Sequence, residues 1–431
     1  MLIASAGLLI LLAVAAGFPI SLGIGALGMS AVAAEMGSRV FQVSAQVMVD
    51  GLNSFVLIAA PFFMLAGEIM NTGGMTRRIF RFASALIGRL PGGLGQVNVL
   101  ASMLFAGMTG SALAEAVALG SMEIKAMRER GYDLRMSAAL TAAASTIGPI
   151  IPPSVPMVIY GALAGASVGQ LFLAGVVPGF LMGGALMVTV YIYALRGKCP
   201  TEARPPKGEL WTATKESLPS LLNPLIVLGG IYGGIFTPTE AAIIVTAYSL
   251  VLSILYREMT PRHLLDIVVR VISNTGALFL FVATTSLLGW VIARTGVVIE
   301  LAMWLSSVVQ SPTVLLLLIT GLYLFVGLFM EPVAAMILLV PILLPAVKLL
   351  QIDLIHFGLV TVLALVLGLL TPPVALVLYA VARIAEISVE DMARALVPFL
   401  IPLVIVLLIT VFFPGVVLFL PNLVGAPSLR P

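Results

Sequence analysis

The sequence predicts an all-α polytopic membrane protein made of two inverted repeats, each with a re-entrant hairpin and a broken helix. Of its 431 residues, 61% are hydrophobic and 10% are charged, whereas soluble globular chains carry about 25% charged residues. Two apolar segments, 148–155 and 368–374, lie 220 positions apart (368 − 148) and each contains a double proline. Sixteen of the 22 Lys and Arg residues lie between Arg77 and Arg270, and this asymmetry orients the spans.

The positive charges form four clusters, which the positive-inside rule places in the cytoplasm. The clusters cover 77–89, 125–135, 196–215 and 257–270. Because the apolar run 98–121 starts and ends beside a basic cluster, it is expected to enter and leave on the cytoplasmic side. The prediction is a re-entrant hairpin over 93–125 with its tip near Gly107 to Ser111. The alternative is one ordinary span, which would place a basic cluster outside.

The first repeat is expected over 76–195, after N-terminal scaffold spans in 1–75. Within it, an arm at 76–92 precedes the hairpin and a helix at 136–164 that breaks at the double proline. The apolar segment 2–34 is interrupted at 17–19, so it fits either one long kinked span or two short ones.

The second repeat is expected over 274–420, after central scaffold spans in 196–273. Its arm at 297–311 has no Lys or Arg, which is what a periplasmic location predicts. A hairpin at 313–346 then enters from the periplasm, and a second broken helix follows at 358–380. The two repeats therefore have opposite orientations, and matched helix breaks of this kind indicate the substrate and ion site of a secondary transporter.

The two breaks and the two hairpin tips carry the residues that we expect to bind ions and substrate. A proline removes a backbone donor and unwinds its helix, which frees carbonyl groups for a cation. The following half-helix presents free N–H groups and a partial positive charge to an anion. The predicted cation ligands are Gly107, Thr109, Gly110, Ser111, Gly148, Pro149, Gly327, Glu331, Gly368 and Thr371. The predicted substrate contacts are Ser111, Pro152, Pro153, Ser154, Pro372 and Pro373.

Four acidic residues fall at apparent membrane depth, where carboxylates are rare and usually functional. Glu331 is the strongest candidate because it lies at a predicted tip, and Glu115 lies on the returning arm of the first hairpin. Glu68 and Glu240 are expected to be structural, since 237–240 is typical of a helix start. The single cysteine, Cys199, excludes a disulfide framework or a cysteine metal site, and no residue pattern indicates an enzyme or a nucleic-acid-binding protein.

Five segments in this order resemble the large membrane subunit of tripartite ATP-independent periplasmic (TRAP) transporters. They are 61–74 (PFFMLAGEIMNTGG), 98–112 (NVLASMLFAGMTGSA), 145–154 (STIGPIIPPS), 234–242 (GIFTPTEAA) and 367–374 (LGLLTPPV). The resemblance extends over essentially the whole chain. It departs at Glu115, where the family usually has Asp, near Glu331, where the family often has Asp, and after Pro373, where this chain lacks the family's frequent Asn.

The resemblance implies a sodium-coupled importer of small organic acids in the bacterial inner membrane, with Na⁺ as coupling ion and no enzymatic cofactor. It implies an elevator-type mechanism and two partners, a small membrane subunit and a periplasmic substrate-binding protein. Because the chain begins at its first large-subunit span, the small subunit is expected to be a separate chain.

Three other functions are alternatives to a TRAP transporter subunit. A stand-alone divalent-anion/sodium symporter would need no binding protein. An intramembrane enzyme would need a catalytic pair at depth, which the sequence does not offer. An ion channel would not need two inverted broken helices.

Overall fold

The computed structural model describes residues 20–200, 208–297, 300, 303–304, 308–372 and 375–424, with the side chains of 107–109 left out. Over these residues the chain forms 18 α-helices and two short 3₁₀ helices, with no β-strand. Seven of the described helical segments are long and apolar enough to cross a membrane by length and composition. The all-α polytopic prediction is confirmed.

Seven of the described helices lie before the first hairpin or between the two units of hairpin, broken helix and one further helix. Four precede the first hairpin: α1 (Ile20–Met36), α2 (Val40–Leu52), α3 (Ala59–Thr72) and the arm α4 (Met75–Ile87). Three more helices lie between the repeats: α10 (Glu209–Tyr232), α11 (Pro238–Leu255) and α12 (Pro261–Thr295). Helix α11 packs along α3, α10 packs along α4, and α12 packs along α1 and α2.

Each repeat consists of a helical hairpin, an interrupted helix and one further helix. The first has α5 (Gly93–Thr109), α6 (Ala112–Glu129), α7 (Leu134–Ser145), α8 (Val155–Ala164) and α9 (Val168–Leu195). The second has α13 (Pro312–Gly327), α14 (Pro332–Leu349), α15 (Leu354–Gly368), α16 (Leu376–Ala385) and α17 (Val389–Phe412). A short helix, α18 (Pro414–Leu423), ends the described chain. Both predicted hairpins and both predicted breaks are present.

Capping residues occur at matching positions in the two repeats. Asp133 and Asp353 each accept two backbone N–H bonds at the start of α7 and α15. Ser167 and Ser388 cap α9 and α17 in the same way. A side-chain oxygen at this position satisfies an N–H that the helix leaves unpaired. The repeats therefore share their helix starts as well as their prolines.

One predicted boundary differs from the structure, and one helix was not predicted. The division at residue 273 falls inside α12, which runs unbroken from Pro261 to Thr295. Thr260 caps this helix, no proline follows Pro261 inside it, and Gly296 in the left-handed conformation ends it, so the charges of Asp266 and Arg270 do not end it. Helix α2 had no counterpart among the predicted spans. Seven of the fifteen residues of the predicted arm at 297–311 lie outside the described residues.

The two repeats pack crosswise. The returning arm of the first hairpin, α6, contacts α16, the second half of the other repeat's broken helix. In the same way α14 contacts α8. Within each repeat the entering arm contacts the first half-helix, as α5 on α7 and α13 on α15. Each hairpin thus contacts both broken helices, so the two hairpins and the two broken helices pack together as one unit.

Candidate functional site

A cavity of about 450 Å³ lies where the two hairpin tips and the two broken helices meet. Four half-helices begin at its wall, because the first residues of α6, α8, α14 and α16 all line it. Helix α12 closes another side with Asn274, Ala277, Leu278 and Phe281. Met64 of α3 also lines the cavity, so the site is shared between the repeats and two flanking helices.

The first tip places Gly110 and Ser111 beside the start of α8. Gly110 has φ +59°, and a Cβ added to it would lie 2.9 Å from the Val155 nitrogen, so glycine permits this close approach. Ser111 Oγ accepts the Ala114 N–H at 3.4 Å and thereby caps α6. The tip residues Gly110 and Ser111 and the break residue Pro149 line the same cavity.

The second tip places Glu331 at the position that matches Ser111, again as the cap of the returning arm. Its Oε2 accepts the N–H groups of Val333 (2.9 Å) and Ala334 (3.2 Å). Glu331 lines the cavity and is accessible within it. The Leu328 carbonyl accepts the Ala375 N–H at 3.3 Å, so this tip also contacts the start of a half-helix.

The first break is held by Ser154, a predicted substrate contact. Its hydroxyl donates to the Pro149 carbonyl at 2.5 Å and accepts the Met157 N–H at 3.3 Å. Ser154 is fully buried. Its hydroxyl therefore links the two sides of the break and caps α8, and in this conformation it is directed at the backbone.

Glu115 packs against the backbone of Gly148 in the first break. A Cβ added at Gly148 would overlap Glu115 Oε2. The carboxyl is completely buried; the Ser102 side chain lies within reach of it, but neither oxygen accepts a hydrogen bond of good geometry from the described atoms. Because a buried charge needs compensation, Glu115 fits a position that holds a cation or a proton beside the break.

Gly327 and Gly368 form the equivalent contact in the second repeat, but through backbone alone. A Cβ at Gly368 would lie 2.6 Å from the Gly327 Cα, and one at Gly327 would lie 2.8 Å from the Leu365 carbonyl oxygen. Two of the four predicted cation ligands of this repeat, Gly327 and Gly368, are thus adjacent. At the same break, the Thr371 hydroxyl donates a hydrogen bond to the Leu367 carbonyl at 3.3 Å.

Some predicted site residues are only partly described. Gly107 and Thr109 belong to α5, and nothing is stated of their side chains. Pro152 and Pro153 are buried within the first break, whereas Pro372 is exposed at the second. Pro373 lies outside the described residues. The assignment of these residues to ions or substrate stays a prediction.

Two polar side chains at or near the site were not predicted from the sequence. Asn274 of α12 is exposed and lines the cavity, and it is the polar residue among the four that α12 contributes to the lining. Glu123 is completely buried in α6, and its two oxygens have no partner among the described atoms. Glu123 is spaced eight residues from Glu115 in an apolar helix, which is the signal that could have identified it.

The interfacial acids do have structural roles, as expected. Glu240 and Thr237 form a reciprocal capping pair at the start of α11. Glu68 forms an ion pair with Arg270 at 3.2 Å. Within the described residues, no group of three or more His, Cys, Asp and Glu side chains is placed to hold a metal ion.

A cavity bounded by two inverted hairpins and two broken helices defines a secondary transporter of the inverted-repeat class. The chain belongs to the DctM component family of tripartite ATP-independent periplasmic transporters, whose family model matches residues 6–416. This confirms the resemblance. The chain is accordingly a multi-pass inner-membrane permease and not an enzyme, and its family works with a small permease and a periplasmic binding protein.

Several known proteins are similar to the chain. The sialic acid TRAP transporter large permease protein SiaM of Vibrio cholerae is 43% identical over 381 residues, which cover 88% of this chain and 89% of that protein. The C4-dicarboxylate TRAP transporter large permease protein DctM of Pseudomonas aeruginosa is 39% identical and covers 86% of this chain and 87% of its own. The crystal structure of the Alcanivorax borkumensis YdaH transporter has a TM-score of 0.67 at 14% identity, covering 88% of this chain and 90% of that one.

Proposed function

We propose that this chain imports a small organic acid by sodium-coupled secondary transport, receiving it from a periplasmic binding protein. The observation that carries the proposal is the convergence of four helix N-termini on one cavity. Helix N-termini carry partial positive charge and N–H groups without a partner inside the helix, which favour an anion. Side chains cap one or two of these groups at α6, α8 and α14, whereas α16 has no side-chain cap. Since none of the described lining residues is Lys, Arg or His, the backbone is the main source of positive potential there.

Sodium is the coupling ion that suits the neighbouring oxygens. The first break offers its backbone carbonyls together with the Glu115 carboxyl, and the second offers its backbone near Gly327 and Gly368. Such hard oxygen ligands suit Na⁺, and a bound cation would offset the negative charge of Glu115 and of the substrate. The cation is cargo in this scheme, so it enters and leaves with the acid.

The movement that we propose is of the elevator type. The moving unit is the body formed by the two hairpins and the two broken helices, which contact each other crosswise. The static unit contains α1 to α4 and α10 to α12. Contacts between the units, such as α12 against α14, would change during transport. The small membrane subunit is proposed to be a separate chain that binds the static unit.

Binding of the acid can be tested without transport. The purified chain is heated with Na⁺ or K⁺ and a panel that includes a sialic acid and a C4-dicarboxylate, because similar permeases are named for these compounds. We expect one acid to raise the melting temperature in Na⁺ only, and Asn274→Ala to weaken that effect. Equal stabilisation in K⁺ would refute the sodium link, and no response to any acid would contradict a binding site in this cavity.

A further inference from the structure

A second cavity, of about 530 Å³, lies away from the transport site where α7 begins, α9 ends and α17 begins. Three basic side chains from three separate chain segments line it: Arg135, Lys198 and Arg394. The first two belong to basic clusters that the positive-inside rule places in the cytoplasm. The cavity therefore opens at the cytoplasmic face of the membrane.

Positive charge exceeds negative charge in this cavity. Asp133 and Asp391 are its acidic lining residues. Asp133 Oδ1 is used by the backbone N–H groups of Arg135 and Met136, and Asp391 pairs with Arg135 at 3.4 Å. Neither Lys198 nor Arg394 has an ion pair in the part of the chain that the structure describes.

The basic cavity continues into an apolar surface. On α17, Val397 and Ile401 follow Arg394 at helical spacing on one face and are 51% and 55% exposed. Lys198 lies 4.9 Å from the centre of the Tyr193 ring, and Tyr193 itself packs on Phe399 at 5.5 Å between ring centres. The cationic side chains suit a negatively charged headgroup, and the exposed apolar stripe suits an apolar tail, so together they suit an amphiphile.

We propose that this cavity binds the headgroup of an anionic phospholipid from the cytoplasmic leaflet, with the acyl chains lying along Val397 and Ile401. A phosphodiester would accept hydrogen bonds from Lys198 and Arg394, the two cations without a carboxylate partner. Basic pockets between transmembrane helices on the cytoplasmic side are suited to such headgroups. Free phosphate shares the headgroup chemistry but gains nothing from the apolar stripe.

The test is native mass spectrometry of the purified full chain titrated with phosphatidylglycerol, phosphatidylcholine or inorganic phosphate. We expect tight binding of phosphatidylglycerol alone, and roughly 25-fold weaker binding in K198A/R394A, from about 5-fold for each cation removed. The matched control is R89A/R262A, which removes two exposed positive charges outside the cavity and should bind as the wild type does.

The charge-preserving variant K198R/R394K guards against a folding defect, and we expect it to retain the lipid. Three results would overturn the proposal. The first is equal loss of binding in K198A/R394A and R89A/R262A, which would indicate unspecific attraction. The second is equal affinity for phosphatidylglycerol in the wild type and K198A/R394A. The third is displacement of the lipid by inorganic phosphate at similar concentration, which would assign the cavity to free phosphate.

Discussion

Gly327 and Gly368 touch through their backbones, with room for no side chain between the end of α13 and the end of α15. The residues at the matching positions of the first repeat are Gly107 and Gly148, and Gly148 is packed against Glu115. Glycine is thus required at both breaks for a physical reason, namely the approach of another group to the backbone. A hairpin can reach the freed carbonyl groups of a broken helix only where this approach is possible.

Gly368→Ala is expected to destabilise the protein and abolish uptake. The added methyl group would meet the Gly327 backbone, which cannot rotate away as a side chain can, and overpacking of this kind costs about 1–3 kcal/mol. Gly321→Ala, in α13, is the control, because an added Cβ there meets open space. Melting temperature and uptake should fall in the first variant and not in the second. A normal melting temperature in Gly368→Ala would show that the two helix ends separate freely.

Gly148→Ala is expected to reduce uptake strongly, and Glu115→Asp in the same chain should restore part of it. The alanine methyl group would occupy the place of Glu115 Oε2, and the shorter aspartate withdraws the carboxyl by one methylene. Residues in direct contact couple in this way, so the double variant should lose less of the initial uptake rate than the two single losses combined would predict. Strict additivity in initial uptake rate would contradict the contact.

Arg81→Ala is expected to lower the melting temperature at neutral pH. Arg81 joins the arm α4 to α10 through bonds of 2.6 Å to both Glu209 and Glu216. The hydrogen bond from Arg81 lowers the pKa of Glu209 below its ordinary value of 4.5. A carboxyl whose pKa is lower in the folded than in the unfolded protein stabilises the fold at pH values above its unfolded-state pKa. This stabilisation is lost as the pH falls through its folded-state pKa.

The difference in melting temperature between the wild type and Arg81→Ala should therefore shrink as the pH falls below 4.5. Arg89→Ala, on an exposed residue of the same cytoplasmic segment, should show no such dependence. A difference that stays constant across this pH range would mean that Arg81 acts by packing and not through its carboxylate partners.

Single cysteines at Leu90 and Ser311 are expected to be labelled from opposite sides of the membrane. Both positions are exposed and stand immediately before a hairpin. In a chain whose Cys199 is replaced by Ser, a membrane-impermeant maleimide should label Leu90→Cys only from the cytoplasm and Ser311→Cys only from the periplasm. Labelling of both from one side would refute the inverted orientation.

The features that the sequence predicted well are those with local causes. The double prolines interrupt their helices, glycine and serine form the first tip, and Thr237 with Glu240 starts α11. Each of these depends on neighbouring residues alone. The opposite orientation of the repeats came from a property of the whole chain, the uneven distribution of Lys and Arg.

The features that could not be predicted depend on contacts between distant segments. The contact of α6 with α16, the exposure of Asn274 into the cavity and the meeting of Arg135, Lys198 and Arg394 each join residues more than 50 positions apart. Glu331 is another example, since the sequence indicates a functional acid and the structure shows its Oε2 also capping α14. One carboxyl can cap a helix and still face the cavity.

Uptake into proteoliposomes tests the central claim most directly. The chain is reconstituted with its small subunit, and the loaded binding protein is added outside under an inward sodium gradient. We expect uptake that requires sodium with a Hill coefficient above one, and that stops when either partner is left out. Uptake of free substrate by this chain alone, or uptake in sodium-free buffer driven by a proton gradient, would contradict the account.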